Sequence, residues 1–507
     1  MYTVADLVLA NARTRPDEAA VIDGTHTVSY GQLAEHASHL AGRLQGLLPA
    51  GSRVVLFMPR SADTLAAYFA THLAGLVPVI AHEQLRTRQL THIVDHAEAG
   101  LALTTDRLAG RLSTCLPPHR VLTMQGLVGA PQAKRMGCPR VIGRDLAGLI
   151  YTSGSTGTAK GVMLSHDNLL AGAEIVADYL ELTPKDRTLA LMPFSFDYGL
   201  NQVLATFHAG GTIVVQRSAF APDICRTLLS HDVTGLAGVP TLWSDLLRAG
   251  SPFVTARYPS LRYLTNTGGA LTPTAVQAIR SAHPQLAVFA MYGLTEAFRS
   301  TYLDPDRLKE KPTSVGRAIP DCQVDVVDED GRPCPPGEVG EVVHRGPTVA
   351  LGYWRDPEAT ARVFRPRPGL RPPLRETVVY CGDLGYTDAE GDLYLTGRRD
   401  ELTKIHGIRV TPTEVETEVA AAGLTAAAVA VFVADPSGSE PFLLLAVQPR
   451  EEASFSADAL LAYCAAELPP HMRPRRIEVL DELPRTPHGK PDRLRIRALL
   501  TNAGASR

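Results

Sequence analysis

The 507-residue chain has no CxxC pair, and its seven cysteines (Cys115, Cys138, Cys225, Cys322, Cys334, Cys381, Cys464) are odd in number and scattered. That argues against a zinc ribbon or a disulfide framework and leaves reduced thiols in a cytoplasmic protein as the expectation. No apolar run reaches the roughly 18 residues of a membrane span. The opening residues, "MYTVADLVLANARTRPDEAAVID", have no apolar core of signal-peptide type. Neither charge sign dominates: 50 Lys and Arg face 53 Asp and Glu, a formal net charge of −3. Composition therefore predicts no nucleic-acid partner and no membrane partner. Internal repeats are absent. So is the common NTPase loop, GxxxxGK followed by Ser or Thr.

What is present is ordinary globular composition, 45% hydrophobic and 20% charged, long enough for two to four domains. Helical spacing in "SYGQLAEHASHLAGRLQGLL" precedes a strand-like "SRVVLFMP", and "SADTLAAYFATHLAGLVPVIA" reads as a helix ending at Gly75, then a strand. "GTIVVQ", "VTGLAGVP" and "LRYLTNTGGA" continue the rhythm. This alternation predicts an α/β fold with largely parallel sheets and ligands at the carboxyl ends of strands. From about residue 320 the pattern turns to hairpins, as in "CQVDVVDEDGRPCPPGEVGEVVHRG", so 320–399 is expected to be a β-rich subdomain. The proline-rich "FRPRPGLRPPLRE" (364–376) reads as an exposed loop. Residues 400–507 read as a small, compact α+β C-terminal domain after a large N-terminal domain, 1–399.

The stretch "YTSGSTGTAKG" (151–161) is too polar to build a core. Glycines let a backbone approach a ligand closely. Successive N–H groups in such turns form an anion-binding concavity, and hydroxyls with Lys160 add donors and charge. The loop reads as phosphate-binding, although Gly161 stands where the NTPase loop needs its magnesium-ligating hydroxyl.

Four other stretches complete a pattern: "NTGGAL" (266–271), "MYGLTEA" (291–297), "YCGDLGY" with "LTGRRDELTKIHGIRVTPTEVE" (380–416), and "LPRTPHGKPDR" (483–493). In order, and over nearly the whole chain, these resemble the adenylate-forming superfamily: acyl-CoA synthetases, nonribosomal-peptide adenylation domains and firefly luciferase. No single piece is specific; the ordered set is. The resemblance implies a large N-terminal domain of layered α/β subdomains with a mobile C-terminal domain. It also implies a two-step reaction. A small-molecule carboxylic acid attacks the α-phosphate of ATP, with Mg2+, giving an acyl-adenylate and pyrophosphate. A nucleophile then takes the acyl group and releases AMP.

The same resemblance implies roles. Thr152, Ser153, Ser155, Thr156 and Lys160 would cradle the departing phosphates. Glu296 would be the metal ligand, with Thr295 beside the α-phosphate, and Tyr292 with Gly293 at the adenine. Gly268, Gly269 and Ala270 would line the adenine and acyl pocket. Asp383 and Arg398 would hold the ribose. Lys490 would be the catalytic lysine, offsetting repulsion between carboxylate and phosphate. Asp400 would be a hinge about which Lys490 leaves and Lys404, Gly407 and Arg409 arrive for the second step. Gly407 gives a pantetheine thiol room to enter, which makes CoA or a carrier-protein phosphopantetheine the expected cofactor. Two departures stand out: Ala159 replaces the usual loop proline, and Tyr380–Cys381 replaces the usual basic residue and threonine.

The acyl-substrate set would be Phe196, Asp197, Gly199, Asn266 and Phe298. Asp197 falls where amino-acid-activating relatives pair a carboxylate with the substrate's ammonium; it equally reads as a cap for the following helix. An amine-bearing acid is one expectation. Acceptors other than a thiol stay open, since some stand-alone relatives make amides from free amines. Of another class entirely would be a non-catalytic nucleotide-binding protein.

Overall fold

Local signals shape the first elements. Ser29 accepts from Gln32 N (3.3 Å) and Gln32 Oε1 accepts from Ser29 N (2.9 Å), a reciprocal capping box. The helix Tyr30–Leu44 that follows buries Tyr30, Leu33, Ala37, Leu40 and Leu44 on one face. The computed structural model describes residues 3–128, 140–153, 159–367, 375–401, 403–405, 408–433, 441–450, 455–487 and 489–502.

The protein is a layered α/β structure. A nine-stranded sheet has parallel central strands in the spatial order Ala287–Tyr292, Tyr263–Asn266, Gly235–Gly238, Arg187–Ala190, Thr212–Val215 and Ala19–Asp23, with antiparallel strands at its edges. A second, four-stranded sheet (Val77–Ala81, Arg53–Phe57, Leu101–Thr104, Val121–Thr123) is parallel throughout. Both bury runs such as Val54, Val55, Leu56 and Phe57 on both faces, as parallel sheets covered by helices must. The helices Ala62–Leu73 and Asp197–His208 join them through Phe69 and Phe207, whose rings lie 5.8 Å apart.

Past residue 320 the sheets become antiparallel. Gln323–Val327, Gly340–Arg345, Thr377–Thr387, Phe364–Pro366 and Leu393–Arg398 form one five-stranded sheet. The exposed loop expected over 364–376 starts instead as a strand: Phe364 pairs with Val379 and is buried. An edge strand tolerates proline, which explains why "FRP" pairs despite its composition. The final stretch builds a three-stranded sheet from Thr425–Val433, Phe442–Pro449 and Pro474–Val479, packed by the helices Pro412–Ala421 and Ala457–Glu467 around Val415, Leu445 and Leu460. Among the described residues, no helix is long and apolar enough to cross a membrane.

Candidate active site

Adjacent parallel strands deliver the site. Arg187–Ala190 leads into Phe196 and Asp197, Gly235–Gly238 into Thr241, Tyr263–Asn266 into the glycine turn, and Ala287–Tyr292 into Thr295 and Glu296. All are carboxyl ends of one sheet, the edge at which open α/β folds bind ligands.

Leu146–Ser153 and Ala159–Ser165, on either side of the Gly-rich stretch, pair as antiparallel strands. Ser155 and Thr156 lie outside the described residues, as does the side chain of Ser153. Thr152 pairs with Lys160 across the hairpin base. A third strand, Gly352–Tyr353, adds to the hairpin and carries residues the sequence reading missed. Lys160 Nζ lies 3.6 Å from Asp356 and 5.2 Å from the Tyr353 ring. The Tyr353 hydroxyl donates to Glu296 Oε1 at 2.6 Å. Burial raises the Glu296 carboxyl above its usual range, while the Tyr353 hydrogen bond pulls the other way. Thr295 beside it is buried.

A second group gathers around Asp383. The Tyr292 hydroxyl donates to Asp383 Oδ2, Arg398 Nη1 donates to Oδ1 at 3.0 Å, and Arg398 Nε donates to Asp400 at 2.9 Å. Behind Tyr292 sits His344, buried, with Nε2 3.3 Å from the Tyr292 hydroxyl and Nδ1 without a partner among the described residues. Cys381 Sγ is 3.6 Å from both groups, and burial pushes its thiol well above the ordinary value. That disfavours the thiolate and leaves Cys381 a packing residue.

Burial lowers the His344 imidazole to about 3. Its folded pKa lies below the unfolded value near 6.5, so the unfolded chain takes the proton first and stability falls as pH drops from about 6.5 towards 3. The expected slope from this histidine is about 1.4 kcal/mol per pH unit. Urea unfolding at pH 6, 5 and 4, below the unfolded value, should show His344→Gln shallower than the parent by about that amount; identical slopes would exclude the effect.

Lys490 comes to the large sheet beside Phe196 and Gly268. Its Nζ lies 5.4 Å from the Phe196 ring, and its neighbour Gly489 accepts from Thr241 Oγ1 at 2.7 Å. Further contacts bring the C-terminal part of the chain against the large sheet: Arg485 to Asp245 at 3.0 Å, Ser244 Oγ to Ala426 O at 3.1 Å, and Arg450 Nη2 to Thr274 Oγ1 at 2.8 Å. Gly268 has φ +79°, and a Cβ there would stand 2.9 Å from Lys490 Cε. A side chain at 268 would be strained and would press on the lysine stem. Gly269 and Ala270 are exposed. Asn266 accepts from Trp243 Nε1 and donates to Gly269 O, both at 2.9 Å, so it shapes the turn. Gly199 is obligatory for packing, since a Cβ would meet Pro193 O at 2.1 Å. Gly293 lies against the Arg299 backbone.

Asp197 does not cap its helix. Phe196 is the N-cap residue and makes no side-chain cap bond, while Asp197 is the first helical residue, 4% exposed, with Oδ1 unpartnered among the described residues. Its carboxylate is held at the positive end of the helix dipole and faces inward. Phe298 is buried at φ +47°, an unusual conformation for a bulky residue. Gly407 lies outside the described residues, as do the side chains of Lys404 and Arg409. Lys404 pairs with Arg409 in the hairpin Thr403–Ile405/Ile408–Val410.

Glu296 with Tyr353 and Lys490 with Phe196 follow the carboxyl ends of the parallel strands, and Lys160 stands at the hairpin base beside Tyr353, charges of the kind a nucleotide could use; comparison with known proteins gives the family. Residues 8–354 match the AMP-binding enzyme family and 414–490 the AMP-binding enzyme C-terminal domain. The chain belongs to this family, within the adenylate-forming superfamily, and is an enzyme of the AMP-forming ligase class. It is 30% identical to sulfoacetate–CoA ligase of Cupriavidus necator, over 97% of each chain. The structure of o-succinylbenzoate CoA synthetase from Bacillus subtilis with ATP and magnesium superposes with a TM-score of 0.86, at 25% identity over 97% of this chain and 99% of that one. The amide bond synthetase McbA from Marinactinospora thermotolerans gives 0.85, at 25% identity over 98% and 99%. Other matched relatives are longer, and the chain spans 41%, 36% and 13% of three of them.

Proposed function

We propose that the protein activates an amine-bearing carboxylic acid as its acyl-adenylate and passes the acyl group to a pantetheine thiol, of CoA or of a carrier protein. The observation that carries the acid is Asp197: a buried carboxylate with an unpartnered oxygen calls for a cation, and an ammonium on the acid supplies one. ATP would lie across the strand ends, with its outer phosphates at the hairpin and Lys160, its ribose hydroxyls at Asp383 and Arg398, and its base beside Tyr292 and Gly293. Gly268, Gly269 and Ala270 would form the wall between base and acyl group. Lys490 would hold the carboxylate against the α-phosphate, damping the repulsion between two anions as the new bond forms. Thr295 would donate to the α-phosphate oxygens.

Magnesium fits here. Glu296 is a buried carboxyl with Oε1 engaged by Tyr353, and this ion is commonly held by a single carboxylate together with substrate phosphates. When bound, it would neutralise charge developing on the leaving pyrophosphate.

After adenylation, the C-terminal part, residues 400–507, would turn about Asp400 relative to residues 1–399. Lys490 would then withdraw, and the 404–409 hairpin with Gly407 and Arg409 would present the thiol path. The likeness to an amide bond synthetase supports a second reading, with a free amine as the acceptor. ATP–pyrophosphate exchange across amino, aryl and fatty acids tests the first claim. Exchange at least about tenfold faster with amine-bearing acids, and lost in Asp197→Asn, is expected. Equal exchange with deaminated analogues would remove the ammonium pairing. Adding CoA or simple amines then distinguishes the acceptors by product.

A further inference from the structure

Arg299 lies three residues beyond Glu296, where the sequence gives no hint of a role. Its side chain is sealed, with the residue 4% exposed, and its Nε and Nη2 have no hydrogen-bond partner among the described residues. No ion pair reaches it among the described residues. The guanidinium instead lies 5.0 Å from the ring centre of Tyr198 and 5.9 Å from that of Phe298. Cation–π contact with two rings offsets part of the desolvation but satisfies no N–H. A buried guanidinium left this way is costly unless an anion completes it.

The surroundings place that anion. Arg299, Tyr198, Asn201, Gln202, Thr188 and Met291 line one cavity of about 20 Å³, room for little more than a water or one small group. Asn201 Nδ2 also lacks a partner and adds an N–H donor, while Gln202 Oε1 is an unpartnered acceptor. A chain of ring contacts links Arg299 to the candidate acyl residues. Lys490 is 5.4 Å from the Phe196 ring, Phe196 is 6.0 Å from Tyr198, and Tyr198 carries Arg299 on its face. Arg299 thus stands one ring beyond the residue nearest Lys490, against the helix face that carries Tyr198 and Asn201.

From this we infer that the acid bears a second, compact anionic group, a carboxylate or sulfonate, which docks on Arg299 and Asn201. The inference rests on the adenylation reading above and is independent of the ammonium at Asp197. A planar fork of N–H donors is suited to a carboxylate, and the Tyr198 and Phe298 rings hold it in place. With both partners satisfied, the acid would be an amino diacid; with Arg299 alone, a simple diacid or sulfo-acid.

Matched pairs test it: succinate against butyrate, sulfoacetate against propionate, and L-glutamate against L-norvaline, each in ATP–pyrophosphate exchange. The expected result is a preference for the doubly acidic member of at least about thirtyfold in kcat/KM. Arg299→Gln should abolish that preference, and Arg299→Lys should keep part of it. An ATP-induced rise in melting temperature reports that each variant is folded. Equal use of the two members of every pair by the parent enzyme would overturn the inference, and so would a preference that survives in folded Arg299→Gln. If neither variant folds, the parent ratio decides. Exchange with no acid at all would remove the adenylation reading, and this inference with it.

Discussion

Lys490→Ala is expected to lower acid-dependent ATP–pyrophosphate exchange by about 10²–10³-fold while leaving ATP affinity within about threefold of the parent. The asymmetry follows from where the lysine sits. Gly489 is held by Thr241 and the loop is tied down by Arg485 and Asp245, so the backbone arrives in place whatever side chain residue 490 bears. Only the stem passing Gly268 and the ammonium near Phe196 are lost. Those groups act where carboxylate and phosphate meet, which makes their contribution largest in the transition state. ATP affinity is read from the melting shift with ATP and exchange from labelled pyrophosphate. A variant that loses both equally would make Lys490 a ground-state nucleotide ligand instead.

Glu296→Gln is the second large effect. Glutamine keeps an oxygen to accept from the Tyr353 hydroxyl, and so preserves the link between the Gly352–Tyr353 strand and the 291–297 turn. What it removes is the negative charge. Exchange should fall by at least about 10²-fold, with little change in melting temperature. Because burial raises the Glu296 carboxyl and Mg2+ must displace its proton, the acid limb of Mg2+ binding should lie at higher pH than an ordinary glutamate would give. Activity then rises with pH as the carboxyl loses its proton. Tyr353→Phe removes a hydrogen bond that favours the ionised form and should move that limb higher still. Full exchange in Glu296→Gln at saturating Mg2+ would exclude the carboxylate as a metal ligand.

How much of this was legible in the sequence depends on distance along the chain. Motifs that act through their own backbone were readable: Ser29 with Gln32 spells a capping box three residues apart, and the strand-to-turn motifs ending at Asn266 and Tyr292 announce the sheet edge. Partnerships set by tertiary packing were not. Tyr353 meets Glu296 across 57 positions, and Thr241 meets Gly489 across 248. Nothing in "GYWRDPEAT" distinguishes a tyrosine that serves a carboxylate from one that fills a core. Asp197 shows the limit from the other side. Its sequence suited a helix cap and an ammonium partner equally, and only the one-residue offset of the helix start removes the cap. Arg299 was invisible for a related reason, since a charged residue is expected at the surface unless packing shows otherwise.

The most direct test mixes the enzyme with ATP, Mg2+ and an acid that supports exchange, without CoA or amine, and analyses the products at stoichiometric enzyme. One acyl-adenylate and one pyrophosphate formed per site, both absent without the acid and both reduced in Lys490→Ala, is the predicted result. Release of ADP and phosphate, or ATP breakdown that ignores the acid, would contradict it.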